Sequence, residues 1–362
     1  YELLANFLEN NREESFLQRG LKILHSGNSL NEVESERIME ELTRPDCSRE
    51  QLSALLTALA MKGETVPEIS GFAKVMRQKS RKIRKPKGVT VVDLCGTGGD
   101  GSSTFNISTA ATFIASGAGV TVAKHGNRSV TSRCGSADLC EALGIQLNPG
   151  RERIEKSLEE AGIAFLFAPK LHPSLKHVGS IRKELGFRTL FNILGPLANP
   201  ANADSQIIGV FRKDLVEKVA NVLVHLNVKR AMVVHGADGL DEITLTGSTW
   251  VSEVQDGWIR SYRIDPEEFG LKCCKPEELK GGDLKKNADI LLDILNGQPG
   301  AKRDIAVLNG AAAIYISGLA KTLKAAVTLA EQSIDSGAAK YKLSELIRIS
   351  NQEISTGDSH DS

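Results

Sequence analysis

From residue 89 onward, short β-rich apolar runs alternate with helical stretches, and this restricts the fold more than any other feature of the chain. Runs at residues 89–96, 119–126, 163–169, 206–211 and 231–236 each read as a buried strand, with helical patterns between several of them. A parallel neighbour can be reached only through a crossover, so the alternation implies a mostly parallel sheet covered by helices.

The first part of the chain lacks that texture and reads as all helix. Ser48 with Gln51 and Thr65 with Glu68 each fit a capping box, where a hydroxyl and a side chain three residues on satisfy orphan backbone donors. Behind them Leu52, Leu56 and Leu59, then Ile69, Phe72 and Met76, fall on one helical face. Residues 171–190 are again helical and charged, and read as a return to this unit. Residues 191–200, punctuated by Gly195-Pro196, read as a rigid hinge. The expected fold class is α/β: a small all-helical domain (1–86 plus about 171–194) and a larger α/β domain (87–170 and 195–349) with a mostly parallel central sheet. A polar tail at 350–362 closes the chain.

Lys+Arg 45 and Asp+Glu 45 cancel, which opposes a general nucleic-acid or acidic-membrane binder, and aromatics at 5% weaken any base-stacking reading. One basic run, residues 77–88, stands against that balance. It reads either as a phosphate or nucleic-acid patch or as a solvated helix end and linker. Six cysteines show no CxxC pair and no metal-ligand spacing, and read as free thiols of a reducing compartment. The longest weakly apolar stretch, residues 107–123, carries too much Ser, Thr and Gly for a membrane span. A cytoplasmic location is expected, or an organellar one if a leader preceded Tyr1.

Three loops carry chemistry. Asp93 to Gly101 follows a strand and precedes a helix, and its glycines let backbone amides approach a ligand. Thr104, Asn106, Ser108 and Thr109 add side-chain donors at that helix start. The turn is neither GxxxxGK[ST] nor GxGxxG, so ATP and NAD are not its natural ligands. Lys124-His125-Gly126-Asn127-Arg128, after the next strand, suits an anion with several oxygens such as a pyrophosphate. Successive strands of a parallel sheet would put both loops at one edge. Asp241-Glu242, after the strand at 231–236, offers hard oxygen ligands for Mg2+ shared with substrate phosphates. Arg182 could hold a carboxylate, although most helix arginines are merely solvated.

Taken together, these motifs resemble those of the anthranilate phosphoribosyltransferase family. The residues that carry the resemblance are Gly96-Thr97-Gly98-Gly99-Asp100, Asn106-Ile107-Ser108-Thr109-Ala110, Lys124-His125-Gly126-Asn127-Arg128, Gly135-Ser136-Ala137-Asp138, residues 191–200 and Asp241-Glu242. The resemblance implies Mg2+-dependent transfer of a phosphoribosyl group from PRPP to the amine of anthranilate, in tryptophan biosynthesis. It implies PRPP binding by Gly96, Gly99, Asp100, Thr104, Asn106, Ser108, Thr109, Lys124, His125, Gly126, Asn127, Arg128, Ser132 and Ser136. Gly96, Asn127 and Arg182 would contact anthranilate, Ser108, Asp241 and Glu242 would hold the metal, and Lys124 and Arg182 would act electrostatically. It also implies a homodimer through the helical domain, with no nucleic-acid or membrane partner. A pyrimidine nucleoside phosphorylase of similar architecture is the nearest rival, but would need no acidic magnesium pair. A silent relative that binds nucleic acid rests on the basic run alone.

Overall fold

The computed structural model describes residues 14–129 and 134–352. Four helices open it: α1 (Phe16–His25), α2 (Glu32–Leu42), α3 (Arg49–Lys62) and α4 (Val66–Lys79). Thr65 and Glu68 form the expected reciprocal box at α4. At α3 only half of one forms. Ser48 Oγ accepts from Gln51 N at 3.3 Å, but donates to Glu50 Oε2 at 2.7 Å, and Gln51 returns no bond. Leu52, Leu55, Leu56 and Leu59 of α3, and Ile69 and Phe72 of α4, are fully buried.

The α/β part is built on a seven-stranded sheet ordered β3-β2-β1-β4-β5-β6-β7. Its strands are β1 (Val91–Gly96), β2 (Thr121–Gly126), β3 (Ile163–Phe167), β4 (Ser205–Gly209), β5 (Arg230–Gly236), β6 (Thr249–Gln255) and β7 (Trp258–Ile264). The first five pair in parallel, as the apolar runs imply. β6 and β7 form an antiparallel hairpin on the far edge that the apolar runs did not reveal. Its turn, Asp256-Gly257, has φ of 47° and 88°, the positive pair that a two-residue hairpin turn requires. β1 lies between β2 and β4, so the direction of winding reverses there. A crevice opens at the carboxyl ends of β1 and β4, where open α/β sheets bind ligands.

Successive residues of the strands face opposite layers. Leu94, Ile207, Met232 and Val234 pack against α5 (Ile107–Gly117) and the later helices. Ile208, Val210, Ala231 and Val233 share an apolar cluster with Phe72 and Ile69 of α4. The N-terminal helices thus cover one face of the sheet directly. Helix α6 (Ser136–Ala142) follows β2, and α7 (Arg151–Lys156) leads through a wide turn into β3.

Residues 171–190 contain α8 (Lys176–Leu185), whose Val178 and Ile181 join the cluster of the N-terminal helices. His177 Nε2 lies 2.9 Å from Leu42 O, and Arg49 pairs with Glu184 at 2.7 Å. The hinge expected at 191–200 is corrected: Leu190–Leu197 is a helix, α9, at whose start Asn192 Oδ1 accepts from Thr189 N at 3.0 Å. Pro196 falls in its last turn, where the helix stops anyway. Toward the end of the chain lie α12 (Ala301–Ser317), whose C-cap Gly318 has φ 90°, and α13 (Leu323–Asp335). Between β4 and β5 runs α10 (Asp214–His225); α11 (Leu284–Leu295) precedes α12, and α14 (Ala338–Ser350) closes the fold. Residues 353–362 of the polar tail lie outside the described residues. Among the described residues no helix is long and apolar enough to cross a membrane.

Candidate active site

Gly96 ends β1, and the chain then turns through Gly98, Gly99 and Gly101, all with φ between 68° and 78°. A side chain would strain each of them. The turn wraps around Asp241, which sits on the loop after β5: Gly98 N donates to Asp241 Oδ2 at 2.7 Å. Asp100 completes the group, its Oδ2 accepting from Asp241 N at 3.4 Å and from Ser102 Oγ at 2.8 Å.

One turn further, the helix α5 begins. Ser108 N donates to Glu242 Oε1 at 3.1 Å, so the helix N-terminus faces a carboxylate, as its dipole favours. Lys124, nearly the last residue of β2, is buried; its ammonium donates to Leu94 O at 2.7 Å and to Ser108 Oγ at 3.1 Å. An ammonium has three protons, so one remains for a ligand. The glycine turn, the α5 start, Lys124 and the acidic pair meet at one end of adjacent strands, although Ser108 and Glu242 are 134 residues apart in sequence.

The electrostatics are unbalanced. Burial, with Asp100 and Glu242 beside it, pushes Asp241 well above the usual carboxylate range. Burial also pushes Glu242 up to about 7, against the pull of Lys124. Two polar atoms at the α5 start, Asn106 Oδ1 and Thr109 Oγ1, are buried without any hydrogen-bond partner. Such atoms cost free energy unless something else satisfies them. Clustered carboxylates that resist ionisation and orphaned polar atoms beside them fit a hard divalent cation with its phosphate ligands. Among the described residues no three His, Cys, Asp or Glu side chains converge as a metal site.

The β2 loop is arranged more finely than its motif suggested. A Cβ on Gly126 would lie 2.5 Å from Ser136 Oγ, so strand end and α6 start are in contact. Asn127 O accepts from Ala137 N at 3.1 Å and Ser136 Oγ at 3.3 Å. Arg128 is turned onto α6, with both Asp138 and Glu141 at 2.8 Å, so its charge is neutralised there. His125 points away from the glycine turn: its Nδ1 lies 3.1 Å from Gly195 O, and its ring is 5.2 Å from that of His172. Burial, with His172 beside it, pulls His125 down to about 3, so the ring is neutral. Thr104 bridges to Lys280 on a neighbouring loop. Ser132 lies outside the described residues.

Arg182 lies on α8, its guanidinium 5.9 Å from the Phe191 ring at the start of α9, the helix whose Gly195 O lies 3.1 Å from His125 Nδ1. Burial pulls Arg182 below its usual value, and among the described residues no carboxylate pairs with it. The sequence does not reveal that the His172 ring lies beside that of His125, nor that Asp93 Oδ1 accepts from His125 N at 3.0 Å. Asp93 carried a signal, as a charge inside an otherwise apolar strand; His172 carried none.

A crevice of this kind, at the switch point of a sheet with a helical bundle on one face, is that of a glycosyl transferase. Residues 88–340 match the a/b domain of the glycosyl transferase family, and residues 19–80 match its helical bundle domain. The chain is 51% identical over 330 residues to the anthranilate phosphoribosyltransferase of Methanocorpusculum labreanum, covering 91% of this chain and 97% of that one. It is 53% identical over 315 residues to that of Ruminiclostridium cellulolyticum, covering 87% and 92%. The crystal structure of the Thermus thermophilus anthranilate phosphoribosyltransferase superposes with a TM-score of 0.87 at 40% identity, covering 92% and 99%. The Saccharomyces cerevisiae enzyme in complex with PRPP and Mg superposes at 0.84 and 30% identity, covering 92% and 97%. The chain belongs to the anthranilate phosphoribosyltransferase family, and its activity is phosphoribosyl transfer to anthranilate in tryptophan biosynthesis.

Proposed function

We propose that PRPP lies along the glycine turn and the start of α5, held by Gly96, Gly99, Asp100, Thr104, Asn106, Ser108 and Thr109 and, across the crevice, by Lys124, Asn127 and Ser136. The orphaned Asn106 Oδ1 and Thr109 Oγ1 carry this reading, because a ligand with several oxygens is what would satisfy them. Asp241 and Glu242, with the Ser108 hydroxyl, would hold Mg2+. The ion would supply charge neutralisation to the leaving pyrophosphate.

The remaining work falls to the chain's own groups. The third Lys124 proton faces the departing charge. Arg182 holds the anthranilate carboxylate and so aims the amine at the ribose C1, with Gly96 and Asn127 as further contacts. As the N–C1 bond forms, the C1–O bond to pyrophosphate breaks, the electron pair leaves with pyrophosphate, and the now cationic nitrogen releases one proton to water. The helical part supplies the contact between two copies of the chain: Phe16, Val33 and Met61 on α1, α2 and α3 are exposed apolar side chains. Sedimentation as a monomer at micromolar concentration would remove that assignment. A cytoplasmic location accords with six free cysteines.

The decisive experiment follows loss of anthranilate fluorescence on adding PRPP and Mg2+. It is then repeated with EDTA and with the double variant Asp241→Asn, Glu242→Gln. Turnover should need both PRPP and metal and should collapse in the double variant. Undiminished metal-dependent turnover there would exclude the acidic pair as the metal site.

A further inference from the structure

The basic run at residues 77–88 is only partly explained by what it holds together. Arg77 is built into the fold, with its Nε on Leu197 O at 2.5 Å and a second nitrogen 3.3 Å from Gln206 Oε1. Arg84 pairs with Glu155 at 2.8 Å and Lys85 with Asp204 at 2.6 Å. Arg81 has no carboxylate partner among the described residues, and neither does Lys170, which follows β3. Both line a cavity of about 300 Å3 with Lys82 and Arg151, floored by Ile154 and Phe167, and no acidic residue lines it. Among the described residues Arg151 pairs only with Glu155, which Arg84 also claims. None of the residues placed in the catalytic crevice lines the cavity.

Lys82 donates to Arg77 O at 2.6 Å, so Arg81 and Lys170 are the cations left without an acidic or carbonyl partner for their side chains among the described residues, above the apolar Ile154 and Phe167. Ligand pockets combine these two features, and about 300 Å3 is the size that holds one ring and a headgroup. We propose that this cavity binds a small organic anion. Its carboxylate or phosphate meets Arg81 and Lys170, and its ring-sized apolar body lies over Phe167 and Ile154. The guanidinium of Arg81 suits a forked headgroup, and Lys170 acts as a point charge.

Calorimetric titration of the full chain, with PRPP and Mg2+ saturating the catalytic crevice, tests this with phenyl phosphate and benzoate as probes. One equivalent of at least one probe should bind, and the tighter probe identifies the headgroup. The double variant Arg81→Ala, Lys170→Ala should weaken it at least about tenfold, as expected when charge-assisted hydrogen bonds are lost, while kcat stays unchanged. Arg182→Ala should leave probe binding as it was. Inorganic phosphate should bind at least about tenfold more weakly than phenyl phosphate, since it lacks the apolar body. The proposal is overturned if neither probe binds, if the double variant binds as well as the parent, if Arg182→Ala removes binding, or if inorganic phosphate binds equally well.

Discussion

Asp241 and Gly96 are in contact across 145 positions of sequence, and the contact leaves no room for a side chain: a Cβ on Gly96 would lie 2.5 Å from Asp241 Oδ2. The same aspartate presses its backbone carbonyl against Gly209 at the end of β4. Gly96→Ala should therefore displace the carboxylate and lower kcat/KM for PRPP by at least about tenfold, the effect of losing one preorganised group. Gly209→Ala meets backbone instead, and should lower stability by about 1–3 kcal/mol, read as a fall in Tm. Normal kinetics in Gly96→Ala would show that the carboxylate position is immaterial.

Arg182→Ala should raise the anthranilate KM far more than the PRPP KM. A charge-assisted hydrogen bond contributes about 1.5–3 kcal/mol, so a rise of at least about tenfold is expected. Arg182→Lys should recover only part of this, because an ammonium cannot grip a carboxylate with two parallel bonds. Equal rises for both substrates would remove Arg182 from the acceptor site.

His125 and His172 should each draw stability down on acidification below the ordinary histidine range. His125 and His172 are buried neutral, at about 3 and about 4, whereas unfolded histidine titrates near 6.5. The unfolded chain therefore binds more protons between those values. Stability is full above about 6.5 and drains as pH falls, by up to about 1.4 kcal/mol per unit for each ring. Asp93, pushed up to about 6 by burial, acts in the opposite sense over its own window, as do Asp241 and Glu242, which burial also raises, so the parent slope is a difference. Comparing the change in urea midpoint between pH 7 and 5 for the parent and His172→Asn isolates one ring. Acidification should cost the variant less stability, relative to its pH 7 value, than it costs the parent, and identical changes would contradict the buried neutral state.

Glu68 is fully buried and ties the N-terminal helices together. It accepts from Leu30 N at 2.9 Å, from Thr65 N at 2.7 Å and from Lys62 Nζ at 2.9 Å. Glu68→Ala would leave those donors unmatched and should cost about 3–5 kcal/mol, measured by urea unfolding. A change within about 0.5 kcal/mol, typical of an exposed site, would mean the network is dispensable.

How far the sequence reveals this structure depends on distance along the chain and on burial. The five parallel strands are covered on both faces, so they appear as continuous apolar runs. The edge hairpin mixes exposed Trp258 and Arg260 with buried Val251 and Val254, and only its Asp256-Gly257 turn could have disclosed it. Motifs beside a strand end, such as residues 96–100, 124–128 and 241–242, were legible because topology brings such loops to one edge. The Lys124–Ser108–Glu242 chain of contacts was not, since no local pattern relates three loops that meet only after folding. Leu190–Leu197 misled because Gly195 and Pro196 mark turns in isolation, while the helix already ends there.

The seam in the amino-acid text near residue 88 does not coincide with a seam in the interior. Phe72 from the opening helices and Val233 from the sheet belong to one apolar cluster, and Arg77 reaches across to Leu197 and Gln206. The opening helices therefore serve as the sheet's missing wall. A fragment trimmed to its strands and later helices would be an open shell with its lining turned toward water, and Arg182, carried on a helix whose Val178 and Ile181 pack into that same wall, would lose its footing with it.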